Sequence, residues 1–279
     1  MKNFSIGTII LGLMMAYQSQ AQINMPAPSP LSKVTQQVGL MEASIEYSRP
    51  GVKGRKVFGD LVPFDKMWRT GANSPTKLTF GDKVVIEGKE IAAGTYSLMT
   101  MPGQSEWTII LNKDSKNRGV FDYNQSEDVI RFKAKSRSLN DMVESFSIGF
   151  TDLTMNSAHL EIAWEKTAVK FAFTTEVDSK VTAQIKQYLS PEKDAGPFYS
   201  IASYYYNQGT NMDQALELIT KSVDMRPRYW SMHMKAKIQA KMKDKKGALV
   251  SAQKSMEMAQ EADNQDYVRL NEKLMAELQ

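Results

Sequence analysis

The sequence has no cysteine, only two histidines, no dominant charge and, beyond its N-terminus, no long apolar run. Without cysteine there is no disulfide framework, no thiol nucleophile, no thiolate-held zinc or iron–sulfur centre and no lipidated cysteine. With only His159 and His233, a serine–histidine triad would have to recruit one of these two. The strings G-x-S-x-G, H-E-x-x-H and G-x-G-x-x-G are all missing. A formal charge of +4 over 279 residues is modest, and residues 190–279 carry 13 Lys and Arg against 12 Asp and Glu. No domain therefore concentrates basic charge as a nucleic-acid binder does to neutralise phosphates, and no nucleic-acid partner is expected. The lack of long apolar runs argues against a transmembrane segment in the processed chain. No cofactor is expected, and no metal: a single His159 on the solvent face of a strand, even beside Glu161, does not make a metal site.

What is present begins with an export signal. Lys2 supplies a positive start, residues 6–16 are apolar or small, and Ser19 and Ala21 place small side chains where a signal peptidase reads them. The apolar run is too short to span a bilayer. Residues 1–21 are thus read as a cleaved signal peptide, and the remainder as a soluble periplasmic or secreted chain. Residues 22–31, with three prolines, read as an extended leader.

From residue 32 to 178 the apolar pattern has period two. Ala158, Leu160, Ile162 and Trp164 share one face while His159, Glu161 and Glu165 take the other, the signature of a half-buried strand. Ala43, Ile45 and Tyr47, then Phe146, Ile148 and Phe150, then Val169, Phe171 and Phe173 alternate likewise. Short β-branched and aromatic runs at 84–86, 96–101, 107–111 and 129–134 add further strands, with turn residues at Gly81-Asp82, Gly88-Lys89 and Pro102-Gly103. Roughly eight to ten short strands without intervening helices predict an all-β antiparallel sandwich or barrel.

After Asp178 the period becomes helical. Residues 179–196 read as a linker with a short helix, hinged at 190–197, and 197–279 as a helical repeat region. DQALELITKSVDM from Asp213 aligns with KGALVSAQKSMEM from Lys246, superposing Ala215 on Ala248, Leu216 on Leu249 and Met225 on Met258 with a period of 33 residues. That period belongs to helix–turn–helix repeats. The first unit resembles a tetratricopeptide repeat: its signature positions fall on Tyr199, Ala202, Ser203 and Tyr206, then on Ala215, Ile219 and Ser222, with Pro227 as the closing proline. The second unit departs from the pattern, with Met232, Lys235, Ala236 and Gln239 at the first positions and no closing proline. Tyr267, Leu270, Leu274 and Leu278 form the apolar stripe of a capping helix. Such arrays expose a partner-binding face, and Tyr199, Tyr204, Tyr205 and Tyr206 crowd one helix with more aromatics than its own core needs. These four are the candidate protein-partner residues.

The most unusual segment is YSRPGVKGRKVFGDLVPF at 47–64, followed by WRTGAN at 68–73. It holds Arg49, Lys53, Arg55, Lys56, Lys66 and Arg69 against only Asp60 and Asp65, punctuated by glycine and proline. With AAGTYSL from Ala92 and EWTIILNK from Glu106, these strings resemble the exported bacterial family catalogued as domain of unknown function 2911, over roughly residues 30–178. The resemblance implies a domain boundary and no activity.

Two functions follow as expectations. In the first, a non-catalytic envelope protein, the β domain recognises an anionic ligand such as an acidic glycan through Arg49, Lys53, Arg55, Trp68, Arg69 and Asn73, and the helices carry a protein partner. Guanidinium groups suit paired capture of carboxylate or phosphate, and Trp68 suits stacking on a sugar ring or guanidinium. In the second, a hydrolase acts on a glycan or other anionic envelope component through carboxylates near the basic loop. The plain structural reading of the same loop has Phe58, Leu61 and Trp68 plugging the end of the sandwich. The six lysines between Lys235 and Lys246 read as a solvated helix face.

Overall fold

The computed structural model describes residues 25–116, 118–189 and 196–279. The signal-peptide assignment at 1–21 and most of the hinge at 190–197 lie outside these residues. The chain divides into two units between Val177 and Asp178, and among the described residues no helix is long and apolar enough to cross a membrane.

The first unit is all β. Its strands are β1 (Leu31–Val38), β2 (Met41–Ser48), β3 (Ala72–Phe80), β4 (Val84–Ile86), β5 (Lys89–Ile91), β6 (Gly94–Met101), β7 (Glu106–Asn112), β8 (Asp128–Thr151) and β9 (Ser157–Thr175). They form an antiparallel sheet in the order β1-β2-β3-β6-β7-β8-β9-β4-β5. The sheet folds over on itself through β8, whose residues 128–135 pair with β7 while 136–151 pair with β9. The two leaves share one core: Tyr47 on β2 donates its hydroxyl to the Ile148 carbonyl of β8 at 3.0 Å, and Phe80 meets Phe173 at 5.3 Å between ring centroids.

Two strands are longer than the alternation suggested. The runs at 129–134 and 146–150 are one strand of 24 residues, and those at 157–165 and 169–173 one of 19. Register shifts between Ser138 and Ser147, with Glu165 at φ +54°, let these strands bend without breaking. The period-two pattern slips at such bulges, so one bent strand reads as two short ones. β3 was hidden for a different reason. Pro75 has no N–H for the ladder, and it lies where pairing with β2 is interrupted between Glu46 and Ser48.

The second unit holds α1 (Asp178–Tyr188), α2 (Phe198–Gln208), α3 (Met212–Met225), α4 (Tyr229–Lys241), α5 (Lys245–Glu261) and α6 (Gln265–Glu277). From α2 onward each helix packs on the next, α2 also touches α4, and α4 touches α6. The helix α1, read from sequence as part of a linker, places Ile185 in the core of this unit with Ile201, Leu218 and Ile238. The repeat is visible in burial: Ala215 and Ala248 are both wholly buried, as are Ile219 and Ala252. Toward α6 the interior turns polar. Asn271 donates to the Ser255 hydroxyl at 2.8 Å and to the Tyr267 carbonyl, while its side-chain oxygen meets His233 Nδ1 at 2.8 Å. Burial pushes the His233 imidazole below its ordinary value, favouring the neutral ring.

Candidate functional site

The basic segment is the connection from β2 to β3, and it is sewn to the sheet on two sides. On one side Gly51 bridges Ser145, Val52 N–H donates to the Glu144 carbonyl at 2.8 Å, and Phe146 N–H donates to the Pro50 carbonyl at 2.9 Å. On the other, Trp68 and Thr100 exchange backbone hydrogen bonds of 2.7 and 2.9 Å. Val52, Val57, Phe58 and Val62 are buried beneath it. The loop is therefore fixed mainly by backbone pairing and apolar anchors.

Its return into β3 is conformationally strained. Thr70 has φ +53°, a region that β-branched residues rarely occupy, and its buried side chain hydrogen-bonds Thr100 Oγ1 at 3.0 Å while its carbonyl accepts from Thr76. Gly71 follows at φ +149°, where a Cβ would sit 3.2 Å from the Ser48 carbonyl oxygen. This corner turns the ring of Trp68 inward: its indole N–H donates to the Gly71 carbonyl at 3.1 Å and the ring lies nearly parallel to Trp164, 5.9 Å away. Phe58, Trp107 and Phe146 meet it edge-on. Trp68 and Phe58 thus plug the end of the sheet as the plain structural reading held, whereas Leu61 remains 43% exposed.

Above this aromatic floor lies a cleft of about 690 Å³. Of the six residues proposed from sequence, Lys53, Arg55, Trp68, Arg69 and Asn73 line it. Arg49 does not: it is half-buried and donates Nε to the Phe146 carbonyl at 2.9 Å, which makes it a staple between loop and β8. Arg55 is braced by the Val52 and Gly51 carbonyls at 3.0 and 2.7 Å, and Arg69 by the Asn73 carbonyl. Asn73, at φ +59°, donates to Ser48 Oγ and to the Ser29 carbonyl, drawing the segment before β1 to the cleft.

The braces on the two arginines are neutral carbonyls, which leaves their charge unbalanced. Among the described residues, none of Arg49, Lys53, Arg55, Lys56, Lys66 and Arg69 forms an ion pair. Lys66 joins Lys53, Arg55 and Arg69 in the cleft wall, and no carboxylate is among the described residues that line it. The nearest acid in the loop's hydrogen bonding is Glu144, which accepts from the Lys53 backbone N–H at 2.9 Å rather than from a cleft cation. Sequence reasoning missed Trp164 and Val120 as lining residues. The alternation marks Trp164 as a core position, and nothing in the sequence brings Val120 to this end of the sheet.

The four tyrosines proposed as partner contacts are all engaged inside the helical unit. Tyr205 is buried, and Tyr199, Tyr204 and Tyr206 are half-buried against the same core. The Tyr204 hydroxyl donates to the Asp178 carboxylate, and desolvation with that bond raises its pKa to about 12. The Tyr206 ring carries the ammonium groups of Lys237 and Lys241 at 4.7 and 4.8 Å. A separate shallow groove on α5 and α6 is lined by Leu249, Val250 and Met275 together with Gln253, Lys254 and Glu257, with Val250 66% exposed. In the β unit, His159 Nδ1 stands 3.4 Å from the Asp152 carboxylate, which Lys170 also holds at 2.6 Å. Among the described residues no three acidic or imidazole groups converge as metal ligands.

The model of one protein family, described as "Protein of unknown function (DUF2911)", matches residues 29–173, a span that starts just before β1 and ends within β9. No curated protein and no solved structure matches the chain.

Proposed function

Because the chain belongs to the family described as Protein of unknown function (DUF2911), a description that names no activity, we propose a function from the geometry of the cleft: the β unit is a recognition module that captures an anionic ligand. The observation that carries this is the wall of Lys53, Arg55, Lys66 and Arg69, unpaired among the described residues, with no described carboxylate in the lining. Cations left without partners on a rigid frame attract carboxylate or phosphate, and a pre-braced guanidinium loses little freedom on binding. The apolar part of the wall, including Leu61, Val62, Pro63 and Trp68, suits an acidic glycan or another anion with an apolar face. The hydrolase reading needs two convergent carboxylates, and the cleft offers no such pair among its described lining.

The helical unit is, on this reading, a tetratricopeptide-like array that carries a protein partner. Support comes from the 33-residue repeat, which falls on α3 and α5, and from the exposed groove beside Val250, where apolar Leu249 and Met275 meet polar Gln253, Lys254 and Glu257. The first 21 residues support an exported, periplasmic or secreted, location.

The deciding measurement uses protein purified from its native envelope, whose intact mass should begin at Gln22. Replacing Arg55 and Arg69 together by Ala removes bonds from charged guanidinium groups to neutral loop carbonyls and leaves no partner carboxylate unpaired. The melting temperature should therefore fall only slightly, while binding of an acidic oligosaccharide measured by calorimetry drops by at least about tenfold. Undiminished binding ends the recognition reading, and a mass that retains Met1 ends the export reading.

A further inference from the structure

Phe121 is 99% exposed, whereas the next most exposed aromatic among the described residues, Tyr188, is 42% exposed. A single apolar side chain on a surface needs no explanation in itself, and here it is the position that matters. Phe121 sits in a short turn, Val120–Asp122, which is closed by the Asp122 carboxylate accepting from Arg118 N–H at 3.1 Å and from Arg118 Nε at 3.2 Å. Next to it Val120 lines the cationic cleft, and a Cβ on Gly119 would lie 3.4 Å from the Arg69 guanidinium carbon. A hydrogen-bonded turn thus holds a bare phenyl ring at the rim of the cleft. Around the same rim stand the exposed Leu61 and the exposed cations Lys53, Arg55 and Lys66.

We propose that this face of the β unit docks on an anionic lipid surface, with Phe121 entering the boundary of the acyl region and the cleft cations meeting headgroup phosphates. The proposal rests on the anion reading of the cleft and adds the source of the anion. A protein-binding hot spot is normally a desolvated apolar cluster with its charges at the rim. Here one apolar wedge, on a turn closed by the Arg118–Asp122 pair, stands beside a cleft walled by cations that form no ion pair among the described residues, the inverse pattern. That arrangement matches a bilayer interface, where phosphates overlie hydrocarbon and reversible attachment combines a small apolar insertion with a basic patch. Each cation near an anionic leaflet contributes roughly fivefold in affinity, and insertion of the phenyl ring about tenfold.

The test compares sedimentation of the chain with vesicles of phosphatidylglycerol mixed into phosphatidylcholine and with vesicles of phosphatidylcholine alone. Glycerol phosphate, the soluble headgroup, is titrated in parallel by calorimetry. Binding to the anionic vesicles is expected to exceed binding to the neutral ones by at least about tenfold and to weaken with salt. Phe121→Ser, at a fully exposed position, should leave melting and glycerol phosphate binding unchanged and lower vesicle binding about tenfold. Lys53→Gln with Lys66→Gln should lower both kinds of binding. Undiminished vesicle binding by Phe121→Ser overturns the proposal. So does binding of glycerol phosphate without binding of vesicles, an outcome that leaves the cleft reading standing. Failure to bind either one also overturns the proposal, and the cleft reading is then decided by the acidic oligosaccharide alone.

Discussion

In the β unit the wholly buried positions are held by large side chains, Trp107, Phe80, Phe146 and Phe173 among them. In the helical unit most of them are small or polar, namely Ala202, Ala215, Ala236, Ala248, Ala252 and Ala259 with Ser255 and Asn271, beside Ile219 and Ile238. The difference follows from the distance each architecture must fill. Facing leaves of a sheet stand about 10 Å apart and need long or aromatic side chains to meet. Paired helices approach to about 8–10 Å between axes, a distance set by the side chains at the contact, and small residues allow the closest approach. The unit with the aromatic interior can leave its end open, because Trp68 and Trp164, with Trp107 packed against Trp68, floor the cleft. The helical unit depends instead on spacing, and its polar contacts run between helices through His233, Asn271 and Ser255.

The sharpest way to test this contrast is to empty the aromatic core. Trp107→Ala should cost about 3–5 kcal/mol in urea unfolding of the β unit, since the ring is 1% exposed and packs against Phe58 and Trp68. A loss well under that range would mean that the cleft end can collapse around the gap, and the rigid floor would have to be abandoned.

Overfilling probes the other unit. Ala252→Leu adds volume at a wholly buried position of α5 and should destabilise the helical far-UV signal by about 1–3 kcal/mol. If the variant melts like the parent, spacing is not what limits this unit, although the aligned position in α3 already carries Ile219.

The smallest effect is expected at Tyr206. Tyr206→Leu keeps apolar bulk against the core of the unit and removes the ring's contacts with Lys237 and Lys241, each worth about 0.5–1 kcal/mol. If the helical unit carries a protein through this ring, cross-linking to that partner in envelope extract should fall far more than stability does. Unchanged cross-linking would leave the tyrosines as internal packing and remove them from the partner surface.

Much of the organisation was legible before any coordinates. The change from period two to helical period falls at Asp178, where the two units divide. The aligned repeats lie on α3 and α5, and five of the six residues proposed from the basic loop line one cleft. These features depend on local chemistry: alternation, repeated spacing, and cations crowded among glycines and prolines. Arg49 shows the limit of that reasoning. It lies in the same basic, Gly- and Pro-punctuated segment as Arg55, yet its guanidinium turns to the Phe146 carbonyl, a residue far along the chain. The four tyrosines show it again, since their crowding was plain while their use inside the unit was not.

By itself the sequence determined which segments alternate, which repeat, and where positive charge accumulates, because each of these is set by near neighbours along the chain. Only the tertiary structure decided that β8 belongs to both leaves, that the cleft wall has four cations and no described carboxylate, and that Phe121 stands bare beside it. Phe121 falls between the segments that the sequence marks as strands, so no pattern there says whether it is buried. Whether it finds a core depends on which distant surfaces the folded sheet brings to that spot, and such long-range contacts leave no local mark in the sequence.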